Sequence, residues 1–238
     1  FQAVSRFLVP ILKSLQGRTG LFVKNSRELK ERVERWDTKG KVLVSYDVVN
    51  MYPSIPIQKA LELINRLLRE TNEWKGNNKE LKAESVMKLL EWIFGNNYCE
   101  YNGEHYRVGT GPIGLGVTGE VAIIYMEEFQ KKAIETHEKP PEDWPWYVDD
   151  SEAIMESEEH AKHFLDHLND IEPEHIKFTL EIEEDKRISV LDLKQERQED
   201  GKVSFGVHYK KTHTNINIKK NSGHPDSVKK SVIQGFTE

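Results

Sequence analysis

Two short apolar, β-branched segments about a hundred residues apart each run into aspartate: Val42-Leu43-Val44-Ser45-Tyr46-Asp47 and Tyr147-Val148-Asp149-Asp150. Each reads as a strand that delivers carboxylate to its end. A fold that satisfies both must bring the two strands into one sheet, and the carboxylates then form a hard, oxygen-rich site suited to Mg²⁺ or Mn²⁺. On its own, the second segment equally describes a hairpin turn carrying two solvated aspartates, since Asp is a common turn residue. The Asp47 strand and its aromatic neighbour Tyr52 favour the metal-site reading.

Composition narrows the options. The chain has 238 residues, enough for one large domain or two small ones with a real core. No run approaches the ~20 apolar residues of a membrane-spanning helix. Arg6 and Lys13 interrupt the amphipathic Phe1–Leu15 stretch, which therefore does not read as a signal peptide. A single cysteine, Cys99, excludes an internal disulfide and a cysteine-based zinc site and suits a reducing compartment. The sequence lacks an initiator methionine and stops abruptly at Glu238, so a piece of a longer chain is expected. Net charge is −6, which counts against a nucleic-acid binder, but the charge is unevenly spread. Acid concentrates between Glu135 and Glu159, whereas the chain turns basic from Lys186 through Lys230. That basic run is either a solvated face or one wall of a groove that follows a phosphate backbone.

Helical spacing marks Phe1–Leu15, Ser26–Trp36 with Ser26 as its cap, Gln58–Arg69, Glu84–Phe94, Glu120–Thr136 and Glu158–Asn169. Two prolines are expected to keep Asn50–Pro56 out of helix, and Asn72–Asn78 reads as a polar loop. Tyr98–Arg107 reads as a hairpin closed by Asn102-Gly103. Gly109–Gly119 is a glycine-rich loop, and Trp144–Met155 the hairpin that carries Asp149 and Asp150. Strands are expected at Ile176–Glu181, Ile188–Leu193 and Val203–Tyr209, with Asp200-Gly201 as a turn. Helices and strands mix without βαβ regularity, which predicts an α+β fold around one antiparallel sheet with packed helices.

The order of these blocks resembles the palm of a reverse transcriptase, and in particular that of the Penelope-like retroelement family, related to telomerase-type reverse transcriptases. The residues that carry the resemblance are Ser45 to Pro56, Tyr125-Met126-Glu127, Tyr147 to Asp150 and Ile176 to Thr179. A fifth block runs from Lys211-Thr212-His213-Thr214 to Ser222-Gly223-His224-Pro225. The resemblance implies partial fingers helices over 1–40, a palm over 41–195 with inserted fingers helices at about 57–107, and the palm end and start of a thumb over 196–238. It implies an intracellular, nuclear RNA-directed DNA polymerase (a nucleotidyltransferase) acting on an RNA template, a DNA primer and deoxynucleoside triphosphates, with no membrane.

Within that resemblance Asp47, Asp149 and Asp150 hold two Mg²⁺ or Mn²⁺ ions, with the Val48 carbonyl as a further ligand. Tyr52 excludes a ribose 2′-hydroxyl, with ordinary core packing as the alternative. Ile113 and Gly114 meet the nucleotide, and Gly111, Gly116, Lys210 and Lys211 meet nucleic acid. Lys177 is placed to protonate pyrophosphate; a surface lysine on a strand is the alternative. His213 and His224 contact nucleic acid or cap a helix, and Trp74, Trp92, Trp144 and Trp146 are expected in core or rim packing. The chain departs from the family at Val108, Ile113, Leu115-Gly116, Trp146 and Val190, where Gln, Met, Ser-Pro, Arg and Phe are customary. The triphosphate-binding hairpin that such enzymes carry before the first aspartate is expected to lie outside this sequence, and no endonuclease domain is visible. These departures keep open a second class, a domesticated remnant that binds RNA or a partner without polymerising. A template-independent nucleotide cyclase is a third, disfavoured by Tyr52 and by the block from Asn102-Gly103 to Gly116.

Overall fold

The computed structural model describes residues 1–76, 78–112, 114–209, 218–219 and 221–234. The chain divides into two units, Phe1–Val207 and His208–Glu238. The first opens with helices α1 (Gln2–Lys13) and α2 (Ser26–Val33), strand β1 (Val42–Val48), and helices α3 (Met51–Ser54), α4 (Ile57–Glu70) and α5 (Ala83–Gly95). Hairpin β2 (Tyr98–Tyr101) and β3 (Glu104–Arg107) leads to helix α6 (Gly116–Thr136), then hairpin β4 (Trp146–Tyr147) and β5 (Asp150–Met155). Helix α7 (Glu158–Ile171) and strands β6 (Phe178–Ile182), β7 (Arg187–Val190), β8 (Leu193–Arg197) and β9 (Val203–Val207) complete it. The second unit contains helix α8 (Asp226–Gln234).

A four-stranded antiparallel sheet in the order β4-β5-β1-β6 organises the first unit. Side chains alternate across its faces, and each face has its own core. Val44, Tyr46, Val48, Ala153, Met155 and Phe178 join one cluster with the helices, whereas Leu43 and Ile154 join another with Ile188, Val190 and Val203 of the three-stranded sheet β7-β8-β9. This explains why β1 reads as an unbroken apolar run rather than an alternating one: both its faces are covered.

The strand is anchored from the helix side. Tyr46 is wholly buried, its hydroxyl donates to the Ala161 carbonyl of α7 at 3.0 Å, and its ring meets Phe164 edge-on at 5.6 Å. Burial holds that phenol neutral, with its pKa far above the ordinary value. On the other face Glu152 is fully buried and accepts from the Gln195 amide at 2.8 Å, which ties β5 to β8. Loss of solvent pushes the Glu152 carboxyl up to about 8.

Several local expectations are corrected. The cap of α2 is Asn25, whose side chain accepts from the Glu28 N–H, not Ser26. Asn50–Pro56 does contain a helical turn, α3, with Pro53 inside it. Proline is tolerated there because first-turn N–H groups have no intrahelical partner to lose. The Asn72–Asn78 stretch includes a 3₁₀ turn, Glu73–Lys75, that buries Trp74. Helix α6 starts at Gly116 rather than Glu120, and the Ser5 hydroxyl of α1 accepts from the Val117 N–H at 3.2 Å, satisfying a first-turn donor. The expected strand Ile188–Leu193 is broken into β7 and β8 at Leu191, which has a φ of 56°.

Candidate active site

Asp47 occupies the next-to-last position of β1, directly opposite Asp150 of β5 and Thr179 of β6. Cross-strand partners share a face, so the backbone register alone makes Asp47 and Asp150 neighbours. Asp149 sits between β4 and β5, in a two-residue turn closed by the Tyr147–Asp150 pair. Its carbonyl accepts from the Val48 N–H at 3.2 Å, which extends the β1 contact beyond the ladder. Asp47 is half-buried and Asp149 exposed. Burial raises the Asp47 pKa first, the charge of Asp149 raises it further, and a backbone hydrogen bond from Val48 partly offsets both. Among the described residues, no three His, Cys, Asp or Glu side chains already enclose a common centre.

The turn has an unusual first residue. Val148 has a φ of 54°, and Asp149 is not in the left-handed region. Positive φ at the first central position alone is the pattern of a type II′ turn, where glycine is preferred. A β-branched residue there is a genuine outlier. The Trp146 indole N–H donates to the Val148 carbonyl at 2.6 Å. Trp146 is itself fixed by backbone hydrogen bonds to Leu21 and from Val23, both 2.9 Å, and is 4% exposed against Trp144 and Phe178.

Asn50, in the left-handed conformation at φ 50°, turns the chain from β1 into α3 and brings out Tyr52, which is 43% exposed. The Tyr52 phenol is raised by burial, then by the charges of Asp149 and Glu120 and by Tyr147. It lines a cavity of about 500 Å³ together with Pro53, Gly111, Gly114, Gly116 and Thr118. A Cβ on Gly111 would lie 2.3 Å from Thr118 Cγ2, and Gly114 has a φ of 84°, so both positions call for glycine. Tyr52, Gly111, Gly114 and Gly116, singled out separately in the sequence, thus meet in one cavity. Lys177 is exposed, and its carbonyl accepts from the Val49 N–H at 2.8 Å, next to the end of β1. Val48 is buried. Ile113, Lys210 and Lys211 lie outside the described residues.

Two residues near the site have roles the sequence did not announce. Trp146, expected only as packing, also donates to the turn. Glu127 of α6 is buried, accepts from the Gly17 N–H at 2.6 Å and lies 3.8 Å from the Arg18 guanidinium; burial raises its carboxyl. The Tyr-Met-Glu block drew notice to Glu127, but nothing in it pointed to the Gly17-Arg18 loop.

The sequence matches no protein-family model and no curated protein. Solved structures do match. Apo telomerase from Candida tropicalis aligns over 86% of this chain and 40% of its own, with a TM-score of 0.65 at 11% identity. Telomerase from Candida tropicalis in complex with a fragment of telomeric RNA aligns over 96% of this chain and 41% of its own, again at a TM-score of 0.65, with 12% identity. An RNA polymerase complex inside a double-stranded RNA virus gives a TM-score of 0.53 at 15% identity, over 86% of this chain and 20% of that one. The chain spans less than half the length of each. Its fold is the reverse-transcriptase-like α+β fold found within those telomerases.

Proposed function

We propose that this chain is the palm, with flanking fingers helices and the start of a thumb, of an RNA-directed DNA polymerase of Penelope-like type. The observation that carries the reading is the strand register that sets Asp47 opposite Asp150 at one end of the sheet, with Asp149 in the adjoining turn. Asp47 and Asp150 are cross-strand partners and Asp149 is bonded through its carbonyl to Val48. In this reading the three carboxylates and the Val48 carbonyl hold two Mg²⁺ or Mn²⁺ ions. Such cations take oxygen donors and commonly use one or two carboxylates, completing their shells with water and substrate phosphate oxygens. The donor set supports that choice, and a cation would relieve the repulsion between Asp47 and Asp149. When bound, the ions lower the pKa of a primer 3′-hydroxyl and neutralise the departing pyrophosphate.

The remaining roles fall to the chain's own residues. Tyr52, projecting at the cavity, bars a ribose 2′-hydroxyl and so selects deoxynucleotides. Gly111, Gly114 and Gly116 admit the template and the incoming nucleotide close to the backbone, and Ile113 is assigned to nucleotide binding. Lys177 donates a proton to pyrophosphate. Lys210 and Lys211 contact the primer–template backbone. The same fold in an RNA-bound telomerase is consistent with an RNA template. Residues 1–40 then belong to partial fingers, 41–195 to the palm and 196–238 to its end and the thumb, in a nuclear enzyme.

Primer extension on an RNA template, with Mg²⁺ or Mn²⁺ and with the native upstream sequence attached, tests the reading. Wild type should incorporate deoxynucleotides and Asp149→Asn should fall to background while retaining its fold. Unchanged extension by the variant sinks the site assignment. A folded wild type that binds template yet incorporates nothing would favour the non-polymerising RNA-binding remnant.

A further inference from the structure

Val148 pays a conformational cost that its neighbours must offset. It occupies the glycine-preferring position of the Tyr147–Asp150 turn, with a φ of 54°. It lines a small void together with Phe22, Met126, Glu127, Gln130 and Trp146. Val148 is also packed against the helix-side core. The packing explains a valine here, but it does nothing to hold the following peptide plane. A strained peptide persists only where the surroundings over-determine it.

The element that does so is Trp146. Its indole N–H reaches the Val148 carbonyl at 2.6 Å, and that carbonyl belongs to the peptide joining Val148 to Asp149. The donor is itself held by several contacts. The Trp146 backbone is bonded on both sides to the Leu21–Val23 segment, and its ring is packed edge-on against Phe178, 5.8 Å between centroids. A fixed donor on the strained peptide sets the ψ of Val148 and hence the direction in which Asp149 leaves the turn.

We infer that Trp146 is a positioning residue, whose indole N–H clamps the strained Val148–Asp149 peptide and so presents the Asp149 carboxylate alongside Asp47. The inference rests on the reading of Asp149 as a metal-holding carboxylate, but the clamp itself is measurable without any polymerase activity. Its chemistry requires a donor: phenylalanine at 146 keeps an aromatic ring in the pocket and loses the hydrogen bond. It also predicts a specific rescue. Glycine at 148 adopts positive φ without strain, so the turn then needs no clamp.

The test compares wild type, Trp146→Phe, Val148→Gly and the double variant by site-resolved hydrogen exchange and by Mn²⁺ titration followed through electron paramagnetic resonance. Trp146→Phe should raise exchange of the Val148–Asp150 amides about tenfold relative to α7 and weaken Mn²⁺ binding by a similar factor. The double variant should return both towards the Val148→Gly values. Wild-type exchange at the turn in Trp146→Phe overturns the inference. So does loosening spread evenly over the whole sheet that Val148→Gly fails to reverse, because Trp146 would then act only as packing. If wild type binds no Mn²⁺ while the exchange pattern holds, the metal-site reading fails and the clamp stands.

Discussion

Gly111 is a position where one methyl group decides the outcome. A Cβ there would fall 2.3 Å from Thr118 Cγ2 and 3.3 Å from the Phe94 ring, and Thr118 is held by the bond from its hydroxyl to the Pro112 carbonyl. Gly111→Ala should therefore destabilise by about 1–3 kcal/mol, the usual cost of overpacking. Thr118→Ser, which removes Cγ2 and keeps the hydroxyl, should recover part of that loss. Denaturant unfolding of the single and double variants checks both, and equal losses in the two would show that the clash is not with Cγ2. At this scale the sequence was most readable where chemistry demands one residue type. Asp47, Asp149, Asp150, Tyr52 and the glycines were all identifiable from residue type and order. Trp146 was not, because an indole that packs and an indole that donates look the same in a sequence. Asn50 was equally silent: its left-handed φ depends on where β1 must hand over to α3.

The elements follow the same logic at longer range. Helices α4, α5 and α7 could be read from apolar periodicity, and the β2–β3 turn from Asn102-Gly103, both at positive φ. The start of α6 could not, since the donor at Val117 is satisfied by Ser5, more than a hundred residues away. The α6–α7 seam carries a titratable group of its own. His137, at the end of α6, is buried and stands within 4.9–6.1 Å, ring to ring, of His160, His163 and His167 on α7. Burial lowers its pKa; a hydrogen bond to the Lys139 carbonyl opposes this, and the three other imidazoles lower it further. The unfolded chain thus takes up a proton at His137 more readily than the folded one. Stability contributed here is present above about 6.5 and is lost as pH falls through the depressed folded value. His137→Gln should flatten the stability profile below about pH 6.5 in thermal unfolding, and an unchanged profile would remove His137 as its source.

At the largest scale, the first unit is built on a four-stranded sheet serving two cores. Leu43 and Val44 are adjacent in sequence and fully buried, yet they belong to different clusters on opposite faces. Leu43→Ala should cost about 2–5 kcal/mol, as large-to-small core changes do. Hydrogen exchange should rise first in β7–β9, which share its cluster, and later in α7, which packs on the far face. Simultaneous loosening of both faces would contradict the two-core arrangement. The sequence announced the α+β class, because apolar runs and turn residues are local signals, but it put the strands around one sheet where the structure forms a four-stranded, a two-stranded and a three-stranded one. It did not announce that residues 187–207 form a second sheet covering the first, because the turn at Leu191-Asp192 puts a leucine at positive φ, where no glycine or asparagine marks it.

The β2–β3 hairpin has all eight strand residues exposed, and it carries Cys99, the single cysteine of the chain. Its base is tied towards the glycine-rich cavity: the Val108 N–H donates to the Asn97 carbonyl at 2.8 Å, and the Asn97 side-chain amide donates to the Thr110 carbonyl at 2.9 Å. Thr110 lines the same cavity as Tyr52. A thiol-reactive fluorophore therefore attaches at one place without mutagenesis, on a lever whose base is bonded to the wall of the candidate site. The chain carries its own reporter position for testing whether that wall responds to added nucleotide or nucleic acid.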